Sequence, residues 1–403
     1  MEKNNKNLNV PNLRFPEFSG EWEKALLNHY LEENKERNKK GVFTKNDVLS
    51  VSGDYGVVNQ IELLGRSFAG KSVLDYHVVR HGNIVYTKSP LKEYPYGIVK
   101  VNDDVDGIVS TLYAVYMTKE NVDGKFIENY FGLPSRTNRY FKPIVRIGAK
   151  HDMKIGNEEV LANYVIFPQL DEQKRISEFI SLLDQRIETQ KKIIEKYESL
   201  IRGIVETHYS QCECIKQVRI SELGEPFTTI NMSKEDLSEE GNECVLYGEL
   251  FTTYGCVIKE VKSRTHISTD KATISRSNDM LFPASTTVDA ISLIAPSAIC
   301  KEGVILGGDL FGIHVNKDYN NEYLSYLINY IYKSKLARYA QGSTIIHLHY
   351  SDIKKATLLL PTIEEQNYLA YLMRGVEEKI NIEKDMLSQL YRQKAYLLSS
   401  LFI

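Results

Sequence analysis

The stretch GRSFAGKS, residues 65–72, has the G-x-x-x-x-G-K-[ST] spacing of a loop that cradles phosphates. That chemistry needs a buried strand before the glycines and a helix opening after the lysine. Backbone N–H groups and the helix dipole then meet the phosphate charge. Here the chain continues VLDYHVVRHGNIVYTK, rich in Val, Tyr and Ile with a turn at Gly82–Asn83, which predicts strand, turn, strand. The match is read as accidental, with a P-loop nucleoside triphosphatase kept as an alternative. The other reactive side chains are sparse. Cys212 and Cys214 form a lone C-x-C without a second pair at zinc spacing. His347 and His349 in IIHLHYSD alternate with apolar residues, as on the surface of a half-buried strand. No catalytic, metal-binding or cofactor-binding residue is therefore assigned.

The elements that would carry any function repeat. FPQLDEQKRISEFISLLDQRIETQKKIIEKYESLIRGI, from Phe167, superimposes without a gap on LPTIEEQNYLAYLMRGVEEKINIEKDMLSQLYRQKAYLL, from Leu360, at an offset of 193 residues. Apolar residues recur at spacings of four and three: Ile176, Ile180, Leu183, Ile187, Ile194, Tyr197, Ile201 and Ile204 in the first copy. The second copy gives Leu369, Met373, Val376, Ile380, Leu387, Leu390, Leu397 and Leu401. This is the seam of a coiled coil, interrupted at the same repeat position by Gln190 and Glu383. The Pro-x-x-[DE]-Glu-Gln openings predict helix starts, with carboxylates placed against the N-terminal dipole. A helix from Asp171 to His208 would be on the order of 55 Å long, and its single apolar stripe needs a partner, the obvious one being its own copy.

The intervening blocks are related more weakly. EWEKALLNHY (21–30) sits opposite CIKQVRISEL (214–223) at the same offset. GNIVYTKS (82–89) resembles NDMLFPAS (278–285), and LYAVYMTKE (112–120) resembles LFGIHVNKD (310–318). Short β-branched and aromatic runs between Gly/Asn/Asp turns predict strands, and 320–340 reads as an amphipathic helix. The expected fold is α+β: two tandem pseudo-symmetric globular domains separated by two long helices that form an antiparallel coiled coil. The expected boundaries are 1–168 for the first domain (with a tail, 1–14), 169–208 for the first helix, 209–360 for the second domain and 361–403 for the second helix.

Composition bounds the function. The 403 residues are 42% hydrophobic and 26% charged, with a formal net charge of −3, so the chain does not coat nucleic acid by bulk positive charge. Any DNA reader must concentrate its cations locally or borrow charge from partners. No run is apolar enough for a membrane span or a signal peptide, and the five cysteines suit a reducing compartment, so a cytoplasmic location is expected.

These pieces together resemble the DNA-specificity subunit of type I restriction-modification systems. The likeness is carried by VPNLRFPEFSGEWEKALL (10–27), FPQLDEQKRISEFISLLDQRI (167–187), LPTIEEQ (360–366) and AQGSTIIHLHYSDIKKATLLLP (340–361). The second copy departs from the pattern in lacking a basic residue after its Gln and in placing Gly375 within the helix. The resemblance implies two target-recognition domains, each reading one half of a bipartite asymmetric target on double-stranded DNA, with the coiled coil setting the spacer. It implies docking of two modification (methyltransferase) subunits and of restriction (motor-nuclease) subunits. It also implies no catalysis by this chain, with S-adenosylmethionine, ATP and magnesium on those partners. In keeping with that, the sequence has no N-P-P-[YF] methylation motif. A coiled-coil scaffold carrying two protein-binding domains is the other reading.

Base reading and phosphate anchoring call for Arg, Lys, Gln, Ser and Thr. In the first block, GLPSRTNRYFKPIVRIGAK (132–150) offers Arg136, Arg139, Lys142, Arg146 and Lys150 without an acid. In the second, YKSKLARYAQGST (332–344) offers Lys333, Lys335, Arg338, Gln341, Ser343 and Thr344. Both stretches lie late in their blocks, at comparable distances before the long helix. Lys71 is a further candidate for phosphate contact. For each of them the alternative is an ordinary cation or hydroxyl on a solvated face.

Overall fold

The computed structural model describes residues 9–91, 94–147, 153–211 and 216–403. Cys212, Cys214 and Lys150 lie outside the described residues. The chain divides into two compact units, Met1–Lys191 with Asp385–Ile403, and Lys192–Lys384. Each takes part of each long helix into its own body.

The first long helix runs Leu170–Gln211 and the second Ile363–Ser400. Both start directly after the Pro-containing openings and carry two acids in the first turn, Asp171 and Glu172 or Glu364 and Glu365. Gly375 does not break the second helix.

In the first unit, a four-stranded antiparallel sheet has the order Leu31–Glu33, Tyr113–Thr118, Ile84–Thr87, Val99–Val101. Helices Gly124–Tyr130 and Pro134–Phe141 follow it in sequence. Tyr86, Tyr116, Phe126, Phe141 and Phe167 fill the core together with seam residues Ile176, Ile180, Leu183 and Ile187 and with Leu390, Leu397, Leu401 and Phe402. The base of the rod is thus part of the domain core. Within this unit the two helix segments run antiparallel: Asp184 bonds Lys394 at 2.5 Å, and seven residues on, Lys191 lies over the ring of Tyr391.

The second unit repeats the plan. Gly224–Thr228, Leu310–Val315, Asp279–Pro283 and Ser297–Ile299 form an antiparallel sheet in the same order, extended by the parallel strand Val257–Ile258. A second five-stranded sheet is formed by Leu237–Ser238, Ser263–Thr265, Asn242–Leu246, Ile305–Gly307 and Thr273–Ile274. The helix segments meet here through Glu198 and Lys384 at 3.2 Å.

The repeat is deeper than the sequence shows. Glu23 pairs with Phe167 in one unit and Lys216 with Leu360 in the other, both partners shifted by 193 residues. The strands Met153–Lys154 and Ile346–His347 and the short helices Asn157–Val160 and Tyr350–Ile353 hold the same offset. One expectation needs correction. The stretch 320–340 is not a single amphipathic helix, because every residue of Asn321–Leu327 is buried and a π-helical segment, Ile328–Tyr332, follows. Its first two turns run through the core, so both faces are covered.

Candidate nucleic-acid interface

The seam positions Ile176, Ile180, Leu183, Ile187, Ile194, Leu369, Met373 and Ile380 are buried. Val376 and Leu387 are half-buried. Gln190 and Glu383 are buried as well, at 5% and 7% exposure, and Lys379 pairs with Glu383 at 2.8 Å.

What ties each globular body to its long helix in both units is the Gln of the helix openings. Asp123 caps the helix Gly124–Tyr130 by accepting from the Phe126 N–H, and Asn320 caps Asn321–Leu327 by accepting from the Tyr323 N–H. Their own backbone N–H groups donate to Gln173 Oε1 and Gln366 Oε1. The acidic neighbours differ. Glu172, 2% exposed, takes Arg14 Nε and Nη2, each at 2.7 Å, and the indole N–H of Trp22 at 3.3 Å. Glu365 instead closes the start of its own helix, accepting from the Thr362 N–H at 3.2 Å. Arg14 and Trp22 sit in the front segment that carried the resemblance, yet nothing in their spacing marked them as partners of Glu172.

The cations chosen from sequence divide sharply. Arg139, in the last turn of the helix Pro134–Phe141, and Lys142 and Arg146, just after it, are exposed. Lys335, Arg338, Gln341, Ser343 and Thr344 are exposed in the corresponding segment of the second unit, and Lys333 is half-buried. Lys335 Nζ lies 4.7 Å from the Tyr332 ring.

Arg136 overturns its expectation. It is 5% exposed, and its guanidinium donates to Tyr130 O and Leu398 O, each at 2.9 Å, between the rings of Tyr130 and Phe402. Burial pulls its pKa down to about 10, which keeps it charged at neutral pH. Leu398 lies in the last turn of the second long helix, where carbonyls lack intrahelical partners and the dipole is negative. Leu13 N–H serves the next such carbonyl but one, at Ser400, at 2.9 Å. Arg136 is a helix cap, its guanidinium buried against main-chain carbonyls.

Lys71 is exposed in an irregular loop. The motif around it begins at Gly65, which ends the helix Gln60–Leu64 in the left-handed conformation at φ 73°, and leads to the strand His77–Val79. Helix-then-strand is the reverse of what a phosphate-cradling loop needs. The Gly70 N–H is taken by Tyr76 Oη at 3.1 Å.

His347 is exposed on the strand Ile346–His347, and His349, also exposed, precedes the helix Tyr350–Ile353. Among the described residues, no group of three or more His, Cys, Asp or Glu could hold a metal ion, and no helix is long and apolar enough to cross a membrane.

Residues 214–392 match the family model described as type I restriction modification DNA specificity domain. Over that segment the chain is similar to this DNA-specificity family. Its similarity extends to a protein of Methanocaldococcus jannaschii assigned as the type I restriction enzyme MjaX specificity subunit, 22% identical over 254 residues. That match covers 58% of this chain and 57% of the relative, so the chain spans little more than half the length of that curated relative. In fold, the chain resembles the S subunit of a type I restriction-modification system from M. genitalium, with a TM-score of 0.58 at 14% identity, covering 98% of this chain and 99% of that one. It also resembles a chain from a structure on complex assembly and conformational transition of the type I R-M system, with a TM-score of 0.54 at 14% identity, covering 94% and 97%.

Proposed function

We propose that this chain is the sequence-specific DNA-recognition subunit of a type I restriction-modification complex. Residues 1–168 and 209–360 each read one half of a bipartite asymmetric target. The helices 169–208 and 361–403 set the unread spacer and dock two methyltransferase subunits, with motor-nuclease subunits joining the assembly. The chain itself performs no catalysis, and S-adenosylmethionine, ATP and magnesium act on the partners in the cytoplasm.

The observation that carries the reading is one of placement. In a chain of net charge −3, no acid occurs between Glu128 and Asp152 or between Glu322 and Asp352. Both stretches begin within the capped domain helix, the first ending just before the strand Met153–Lys154 and the second running through the strand Ile346–His347, and both expose cations. Phosphate contact by such local clusters is what a weakly acidic protein needs to bind DNA.

Methylation-sensitive sequencing of the host genome with and without the gene tests this. A two-part motif with a fixed spacer should vanish on deletion. An unchanged methylome, or a continuous motif, would refute the reading. Inserting one heptad into both helices should alter the spacer and leave the half-sites as they were. A scaffold of two protein-binding domains would show no salt-sensitive, sequence-selective DNA binding by the reconstituted complex. ATP turnover by the purified chain, lost on Lys71→Ala, would restore the P-loop alternative.

A further inference from the structure

In the second unit the strands Ser285–Thr286 and Ile346–His347 pair antiparallel, with Thr286 opposite Ile346. The short helix Ala290–Leu293 packs against both strands and against the turn Ala337–Tyr339, which carries Arg338. At this end of the strand pair two large aliphatic side chains face solvent: Val288 is 72% exposed and Ile345 50%. Thr287, Gln341, Ser343, Thr344 and His347, all exposed, surround them in the sequence. The acid nearest in sequence, Asp289, turns its carboxylate to the start of the short helix, accepting from the Ser292 N–H and hydroxyl at 2.8 Å each.

A single exposed aliphatic residue is ordinary. Two β-branched ones, stiff at χ1, set among hydroxyl and amide side chains and beside an acid-free basic segment, match a specific surface. On the edges of base pairs in the major groove, the thymine 5-methyl group is the apolar feature, amid hydrogen-bond donors and acceptors. We propose that Val288 and Ile345 read thymine methyl groups in the half-site bound by this unit, an assignment that rests on the DNA-recognition reading above. Lys333, Lys335 and Arg338 supply the complementary charge for the flanking phosphates.

The test uses the complex assembled with its methyltransferase partners, and duplexes in which each thymine of the target is replaced in turn by deoxyuridine. At one position or more, loss of the methyl group should weaken binding about fourfold, the value of one buried methyl-sized group. Val288→Ala or Ile345→Ala should bring thymine and uracil to equal affinity there. Both residues are exposed, so their variants should unfold at the unaltered temperature. Equal binding of thymine and uracil at every position, or discrimination that survives both variants, overturns the proposal. So does a V288A/I345A complex that fails to assemble, since the patch would then be a protein-docking face. A wild-type complex with no sequence selectivity would instead refute the function on which the proposal rests.

Discussion

Gln173 and Gln366 share two hydrogen bonds in their two units, and Gln173 donates a further one to the Asn121 carbonyl at 3.2 Å. Each accepts at 3.0 Å from the backbone N–H of a helix-capping residue, Asp123 or Asn320, and donates at 2.9 Å to the carbonyl of Pro168 or Pro361. Both are buried, at 0% and 1% exposure. The amide alone can serve these sites, since one end must accept and the other donate.

Gln173→Ala should therefore destabilise the first unit by about 2–3 kcal/mol, because a buried N–H and a buried C=O lose their partners. Gln366→Ala should do the same to the second. Gln→Glu should not rescue either, as a carboxylate would face a proline carbonyl with no proton to give. Thermal unfolding of the full chain reads both effects.

Arg136 and Arg139, three residues apart, should respond oppositely. Arg136→Ala should lower the unfolding temperature, at a cost of about 2–3 kcal/mol, by releasing two buried carbonyls. It should leave the salt dependence of DNA binding by the folded complex unchanged. Arg139→Ala should leave stability within about 0.5 kcal/mol and reduce the slope of log affinity against log salt by about one.

Gly375 lies within the second long helix, exposed, with no atom of the described residues within 4 Å of the place a Cβ would occupy and no positive φ. Gly375→Ala should stabilise the chain by about 1 kcal/mol, since alanine loses less backbone freedom on folding. Denaturant titration checks it: the midpoint should rise with an unchanged slope.

Glu377 titrates against burial. Desolvation raises its pKa, opposed by the Tyr326 hydroxyl that donates to it at 2.6 Å. A carboxyl with a raised folded pKa holds its proton longer in the folded state. Its cost is absent below the unfolded value, grows as pH rises toward the folded value, and is complete above it. Glu377→Gln keeps an acceptor for Tyr326 and removes the charge. Its stability relative to wild type should be highest at neutral pH and should decline toward zero below about pH 4. A gain that is flat with pH would contradict this.

What could be read in the sequence was local and periodic. Spacings of four and three mark a helix because side-chain direction repeats every 3.6 residues, and a gapless offset exposes a duplication whatever the fold. The cap and helix at Gly156–Val160 and at His349–Ile353 escaped that reading. They share geometry and offset while sharing few residue types, Glu159 answering to Asp352 and Val160 to Ile353.

The long helices, the doubled plan and the acid-free basic stretches were therefore determined by the sequence alone, because each depends on residues near one another in the chain. Which cations stay free for a ligand was decided only by the tertiary structure. Arg136 is committed to a carbonyl 262 residues away, and Glu172 to an arginine 158 residues away. Burial and the partners that make it tolerable come from distant chain, so of two arginines three positions apart with the same chemistry one is buried and the other exposed.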